Sequence, residues 1–330
     1  MYKRNEILEC FNVYKRDTDF RLNLGLPDSV VERSDFAGRE ESTKKSLNFS
    51  SFEEIDSAQG TTNFEQMKNL LNQLKAFELL PQLSGLGLEL GSGIGILSCA
   101  ILEQDSDELV EGVLALEAVP SFVEEGIPKA GRELLKERCY QLLPSFGTFE
   151  KIDIEEGSLD FVIQIESLHH AQDLDTAAVE ACRILKPGGF MLSIDRSWPD
   201  SVSDIFLNSL LDHKYEEGWL EQRGFPRDKI KTRRDNGEHE YRDCEWRSVF
   251  ERVGFVEEFF IPFHPRLKIW NVAKRILGVM GMSQLFNAPA RSGLMRGLIC
   301  HVFHLNPIRF GGIPITNHPR ALTYMLYKKS

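Results

Sequence analysis

Between residues 63 and 195 the chain alternates short apolar runs with amphipathic stretches, the pattern of strands feeding helices. The spacing of Phe64, Met67, Leu70, Leu71, Leu74 and Phe77 predicts a helix over 63–80, with Thr62 or Asn63 as N-cap and Pro81 as terminator. "LGLEL" (86–90) reads as a short buried strand, and "ILSCAILEQ" as the helix that leaves it. "GVLALE" (112–117) is a second strand, followed by helical "SFVEEGIPKAGRELLKE". A third strand is expected near "CYQLLPSF", and "DFVIQI" (160–165) is a fourth. "DLDTAAVEACRIL" (173–185) is a helix and "GFMLSID" (189–195) a fifth strand. Such alternation argues for a parallel sheet with helices on both faces.

Outside that core the pattern loosens. Residues 1–62 are polar and mixed, and "ERSDFAGREESTKKS" reads as solvated loop. "SVSDIFLNSLLDHKY" has helical character, and "RGFPRDKIKTRRDNGEHEYRD" reads as a long polar loop. "CEWRSVFERVG" is a helix closed by Gly254, "FVEEFFIPF" a strand, and "ALTYMLYKK" (321–329) the last strand. The expected division is an N-terminal cap (1–62), a core (63–195), a substrate-side insertion with a helix (196–254), and last strands carrying a basic insertion (255–330).

Composition narrows the class. With 42% apolar and 27% charged residues in 330, the chain suits one large globular domain with insertions and not a disordered one. Its six cysteines form no C-x-x-C pair, so reduced thiols in a cytoplasmic protein are expected. The N-terminus has no apolar signal region. Net charge is −11 but uneven: residues 262–330 hold ten Lys or Arg and no acid, leaving a net of −21 on residues 1–261. That asymmetry points to a partner surface.

The glycines of "LELGSGIG" carry the candidate chemistry. Between a strand and a helix they leave N–H groups free and let a ligand approach the backbone. A dinucleotide fingerprint, G-x-G-x-x-G, would need glycine where Ile96 stands. The spacing is G-x-G-x-G, with Glu89 two residues before Gly91; an acid there suits a cation better than a pyrophosphate. An ordinary tight strand–helix turn is the plainer alternative.

"LELGSGIG" resembles motif I of the class I S-adenosylmethionine-dependent methyltransferases. "LALEA", with Glu117 at the second strand's end, and "LKPGG" (185–189) extend the resemblance over residues 63–195. It implies a doubly wound α/β fold of the Rossmann-like methyltransferase type, with a mostly parallel seven-stranded sheet, an N-terminal cap and C-terminal insertions. It implies S-adenosylmethionine as cofactor. Gly91, Ser92, Gly93 and Gly95 would shape the loop around its methionine part, Glu89 would help hold that part, and Glu117 would accept from both ribose hydroxyls. The family's adenine-binding acid is replaced: Gly147-Thr148-Phe149-Glu150 stands there, so Thr148 and Phe149 are carried over, with Glu150 and Asp153 as substitutes.

For the transfer, Glu166, His169 and His170 follow the fourth strand, at the end that faces a ligand crevice. Glu166 is assigned to the cofactor side and the two histidines to catalysis; a histidine can take a hydroxyl proton near neutrality, or merely pack the loop. His239, in "NGEHEYRD", is a third candidate, with a solvated turn as its alternative. No Asn/Asp-Pro-Pro-Tyr motif follows the fourth strand, and the main body is acidic, which argues against nucleic acid. In "RLKIWNVAKRILGVMGMSQLF" (266–286), Ile269, Trp270, Ala273, Ile276, Leu277 and Met280 share a helical face opposite Lys268, Lys274 and Arg275. That segment is expected as a lid, a core helix, or a peripheral contact with the inner face of a membrane. The expected activity is methyl transfer to a small-molecule or lipid-linked acceptor, O-methylation favoured, without a metal. The alternative is a non-catalytic cofactor-binding protein of the same fold.

Overall fold

The computed structural model describes residues 1–31, 33–48, 51–58, 63–76, 78–226, 228–262 and 322–330. Its strands are β1 (Leu22–Asn23), β2 (Gly85–Leu90), β3 (Val110–Glu117), β4 (Leu142–Phe146), β5 (Leu159–Ile165), β6 (Leu185–Arg196), β7 (Phe255–Ile261) and β8 (Leu322–Lys329). They form one sheet in the order β1-β4-β3-β2-β5-β6-β8-β7. Pairing is parallel from β1 to β6, and β8 lies antiparallel to both β6 and β7. Among the described residues the expected seven strands are therefore eight: the polar N-terminal segment adds β1 beside β4, Leu22 opposite Ser145 and Asn23 opposite Phe146.

The helices are α1 (Arg4–Arg16), α2 (Asp28–Val31), α3 (Ser34–Leu47), α4 (Phe52–Ala58), α5 (Phe64–Ala76), α6 (Ile96–Glu103), α7 (Ile127–Leu135), α8 (Leu174–Ile184), α9 (Asp204–Leu211), α10 (Glu217–Arg223) and α11 (Asp243–Arg252). Among the described residues no helix is long and apolar enough to cross a membrane.

The strict alternation of strand side chains builds two cores, one on each face of the sheet. Leu86, Leu88 and Leu90 of β2 pack with Ile7 and Phe11 of α1, Ala177 of α8 and Trp246 of α11. Val113 and Ala115 of β3 and Phe161 and Ile163 of β5 pack instead with Leu70 of α5, Ile101 of α6 and Ala130 of α7. Each fully buried leucine in these layers contributes about 1.5–3 kcal/mol over its exposed state. Both faces are covered, which is why the strands read as continuous apolar runs. The same alternation puts Glu89, between Leu88 and Leu90, under α6.

One expectation is corrected and another is refined. The segment 32–46, expected as solvated loop, lies largely in α3. It lacks an apolar stripe because it docks through polar groups. Glu40 accepts from Ser121 N at 3.0 Å and from Ser121 Oγ at 2.5 Å, and Lys45 Nζ donates to Gly224 O at 3.3 Å. The stretch 223–243, expected as a long polar loop with a solvated turn as one alternative for its "NGEHEYRD" part, runs without helix or strand among its described residues between α10 and α11 and buries Ile230, Arg233, Asn236, Glu238 and Glu240. Its charges compensate one another inside: Glu238 Oε2 accepts from Arg233 Nε at 2.7 Å and from Arg196 Nη1 at 2.9 Å. The amphipathic segment 266–286 lies outside the described residues. Of the cysteines, Cys10, Cys99, Cys139, Cys182 and Cys244 are free thiols; Cys300 lies outside the described residues.

Candidate active site

The carboxyl ends of β2 to β6 meet along one rim of the sheet. After β2 the chain turns through Gly91, Ser92, Gly93, Ile94 and Gly95 into α6, with all three glycines at positive φ. At Gly91 the reason is close approach: a Cβ there would stand 2.5 Å from Ser167 Cβ and 3.2 Å from Phe149 Cζ. At Gly93, φ is +53° and a Cβ would meet nothing within 4 Å, so this residue borders open space. The Ser92 hydroxyl is buried without a hydrogen-bond partner.

Two carboxylates flank the loop. Glu117, ending β3, accepts from Gly93 N at 3.0 Å, Ala118 N at 2.8 Å and Val119 N at 3.1 Å. Burial pushes its carboxyl up, and those N–H groups and the Arg39 charge pull back. Glu89 accepts from Ser98 N at 3.1 Å and from the Ser98 hydroxyl, within the first turn of α6. Burial pushes Glu89 up to about 7 against the Ser98 hydrogen bonds.

Over the loop lies a cleft of ≈ 510 Å³, its mouth included. Its floor comprises Gly91, Glu117 and Ala118, and one wall is Gly147, Thr148, Phe149 and Glu150. The roof comes from Phe36 and Arg39 of α3, with His170 at its edge.

The paired histidines sit in a single turn, Leu168–His170, with ring centroids 4.2 Å apart. Their environments differ. His169 is buried, and its Nδ1 lies 2.8 Å from Asp195 Oδ1 at the end of β6. An ionised carboxylate only accepts, so Nδ1 carries the proton and Nε2 is the basic atom. Burial pushes the Asp195 carboxyl up, opposed by the Arg196 charge and by N–H groups of Arg196 and His169. His170 Nδ1 lies 2.7 Å from Arg39 Nη2. Burial, then the Arg39 and His169 charges, hold His170 well below the usual histidine range.

Residues 88–193 match the family model described as a methyltransferase domain. This core is a class I methyltransferase domain. Its cofactor is S-adenosylmethionine, and the site fits it: an unpartnered buried hydroxyl at Ser92 and open space at Gly93 lie beside the carboxylate of Glu117. No curated protein matches the methyltransferase in sequence. Among solved structures, a protein described as a candidate sarcosine dimethylglycine methyltransferase from Galdieria sulphuraria is 17% identical, with a TM-score of 0.48 over 81% of this chain and 86% of its own. Phosphoethanolamine N-methyltransferase 2 of Haemonchus contortus is 16% identical, with a TM-score of 0.43 over 81% of this chain and 53% of its own.

The methyltransferase brings Gly91, Glu117, Thr148, Phe149 and His170 to the cleft; His169, 2% exposed, is not part of that lining and stands against it through His170. Glu89 lies beneath α6, outside the cleft lining. Glu166 takes a positive φ of 53°, strained for a residue with a side chain, at the end of β5; its charge acts on Arg196, away from the cleft lining. His239 comes in through its backbone, N–H donating to His169 O at 2.8 Å, while its half-buried ring stacks on Tyr241 at 6.1 Å. Sequence reasoning misses Arg39, Asp195 and Asn236. For Asp195 the signal exists: it ends an apolar run at the sheet rim as Glu117 does. For Arg39 and Asn236 no local signal exists, because each matters through a partner more than sixty residues away.

Proposed function

We propose that the protein transfers a methyl group from S-adenosylmethionine to a hydroxyl of a small-molecule acceptor, with His169 as general base. The observation that carries this reading is the His169 Nδ1–Asp195 Oδ1 contact of 2.8 Å at the sheet rim. The bound cofactor supplies an electrophilic methyl on a cationic sulfur. The 91–95 loop, with the Ser92 hydroxyl, would hold the cofactor's amino-acid part, Glu117 its sugar hydroxyls, and Thr148 and Phe149 its base. Asp195 orients His169, whose ring centroid lies 4.2 Å from that of the cleft-lining His170; an acceptor that reaches past His170 would give its proton to Nε2 as the new bond forms, and the same carboxylate would stabilise the imidazolium that results. An ammonium can lose its proton to solvent before it attacks, whereas a hydroxyl must lose its proton as the new bond forms, so the dyad favours a hydroxyl. The roof of α3 over the cleft favours a small acceptor over a polymer.

The test begins with metabolite profiling of a deletion strain for species lighter by one methyl, followed by turnover of the acceptor so found. An O-methyl product is expected. His169→Asn should lower kcat about 10²–10⁴-fold while S-adenosylhomocysteine binds as before. A methylated nitrogen or carbon, or an undiminished kcat in His169→Asn, would overturn the reading.

A further inference from the structure

The two neighbouring histidines are held in opposite tautomers, and the group that decides the second comes from the N-terminal cap. Arg39 Nη2 lies 2.7 Å from His170 Nδ1. A guanidinium has donors and no acceptor, and it keeps its proton in proteins. Nδ1 must therefore present its lone pair, and the ring proton resides on Nε2. Gly237 O also lies near Nδ1, at 3.3 Å, but a proton placed there would oppose the guanidinium N–H at the shorter distance. Arg39 is itself fixed. Its Nε donates to Asn236 Oδ1 at 3.3 Å, and Nη2 also donates to Asn236 O. Its Cζ lies 5.9 Å from the Phe36 ring centroid, and the charges of Asp35, Glu117 and Glu238 act on it.

We propose that Arg39 is a positioning residue that locks His170 as a neutral Nε2–H donor for the ligand in the cleft and ties α3 to the 233–240 loop. It follows that His170 does not serve as a base: one nitrogen is occupied by a cation and the other carries the proton. The two histidines divide the work, His169 taking a proton and His170 offering a hydrogen bond. His170 shares the cleft lining with Gly91, Glu117, Thr148 and Phe149, so the acceptor of that bond is a polar atom of the cofactor. This inference rests on reading the cleft as the cofactor site. The charged and titratable groups around His170 are Arg39 and Asp35 of α3, Arg33 just before that helix, His169 of its own turn, Glu238 of the 233–240 loop, Arg196 at the end of β6, and Glu117 and Glu150 across the cleft. Three of the four that act on it most, all but Glu238, oppose its protonation.

The experiment uses the full chain and its Arg39→Met and Arg39→Lys variants. Imidazole nitrogen shifts of His170 are read by long-range proton–nitrogen NMR from pH 5.5 to 8, and S-adenosylhomocysteine binding by calorimetry at pH 6 and pH 8. The wild-type ring should show the Nε2–H tautomer throughout, without titration. In Arg39→Met it should titrate within that window; the imidazolium keeps an Nε2–H, so affinity should hold near pH 6 and fall about tenfold at pH 8, where the unlocked neutral ring can place its proton on Nδ1 against Gly237 O. Arg39→Lys keeps a donor cation and should keep the tautomer. A wild-type His170 protonated on Nδ1 or titrating normally would overturn the proposal. So would an Arg39→Met protein, folded by circular dichroism, in which neither tautomer nor affinity moves. Failure of the wild type to bind S-adenosylhomocysteine would strike the cofactor reading instead, since the tautomer is read without ligand.

Discussion

Glu89 shows how far a single residue's role can be read from spacing. Its place two residues before Gly91 raises the expectation of a carboxylate that serves a cation; the structure sets it beneath α6, bonded to Ser98, and adds its state. Burial raises it from an ordinary glutamate to about 7. A raised folded-state pKa means the folded protein holds the proton more tightly than the unfolded chain. Glu89 thus contributes stability below about pH 4.5 that is lost as pH rises through about 7, a loss of about 3 kcal/mol in the ligand-free protein. A cationic cofactor bound near enough to act on Glu89 would reverse the preference: it would favour the ionised carboxylate, so binding would expel a proton wherever Glu89 is still protonated. S-adenosylmethionine affinity should therefore rise with pH between about 5 and 7 and level off above. Calorimetry in buffers of different ionisation enthalpy should detect proton release at pH 6, and Glu89→Gln should abolish that release. An affinity flat across this range would show that Glu89 is already ionised. The histidines mark where residue-level reading ends. "LHH" announces two imidazoles at the rim, but whether each meets a carboxylate or a guanidinium depends on β6 and α3, which the local sequence does not contain.

At the scale of elements, legibility follows the source of the stabilisation. β2, β3, β5 and β6 are buried on both faces, and their apolar runs declare them. α5 and α8 carry apolar stripes at helical spacing, and the Asp173 side chain opens α8 by accepting from Asp175 N at 3.0 Å and Thr176 N at 3.3 Å. α3 has neither stripe nor side-chain cap, so its sequence looks like loop. What holds it lies in other elements: Ser121 after β3, His170 after β5, and Asn236 in the 233–240 loop. A helix docked by polar contacts gives up little apolar burial when it leaves, and it roofs the cleft. Glu40→Ala removes the acceptor for both Ser121 donors. It should lower amide-exchange protection across 34–47 by about tenfold, equivalent to about 1.5 kcal/mol of local opening. Protection in β2 and β3 should stay at the global value. Saturating S-adenosylhomocysteine should restore much of the loss in α3. If protection falls equally everywhere, α3 belongs to the global unit and is no roof that moves.

At the scale of the molecule, the cap, the core and the post-β6 segment meet through buried charge. Glu238 Oε2 accepts from Arg196 Nη1 of β6 and Arg233 Nε, and its Oε1 from Tyr215 OH at 2.9 Å and Asn236 Nδ2 at 3.0 Å. Glu240 pairs with both arginines and accepts from Trp198 Nε1 at 2.5 Å. Asn236 in turn holds Arg39 of α3. None of this is visible in a stretch as polar as "RRDNGEHEYRD", because a solvated turn and an internally neutralised cluster have the same composition; only the position of Arg196 on a buried strand separates them. A buried cluster of this kind adds little net stability over an apolar one, but removing one partner strands the others. Glu238→Ala leaves Arg196 and Arg233 sharing Glu240, so unfolding free energy in urea should fall by about 3–5 kcal/mol, with the m-value unchanged. Glu238→Ala with Arg233→Met removes one charge of each sign and should recover part of the loss, a coupling that surface residues would not show. Because Glu238 also fixes Asn236, and Asn236 fixes Arg39, the same variant should free His170 to titrate even at temperatures where the protein remains folded. Loss of stability without a change at His170 would mean that the cluster holds the loop but does not reach the cleft.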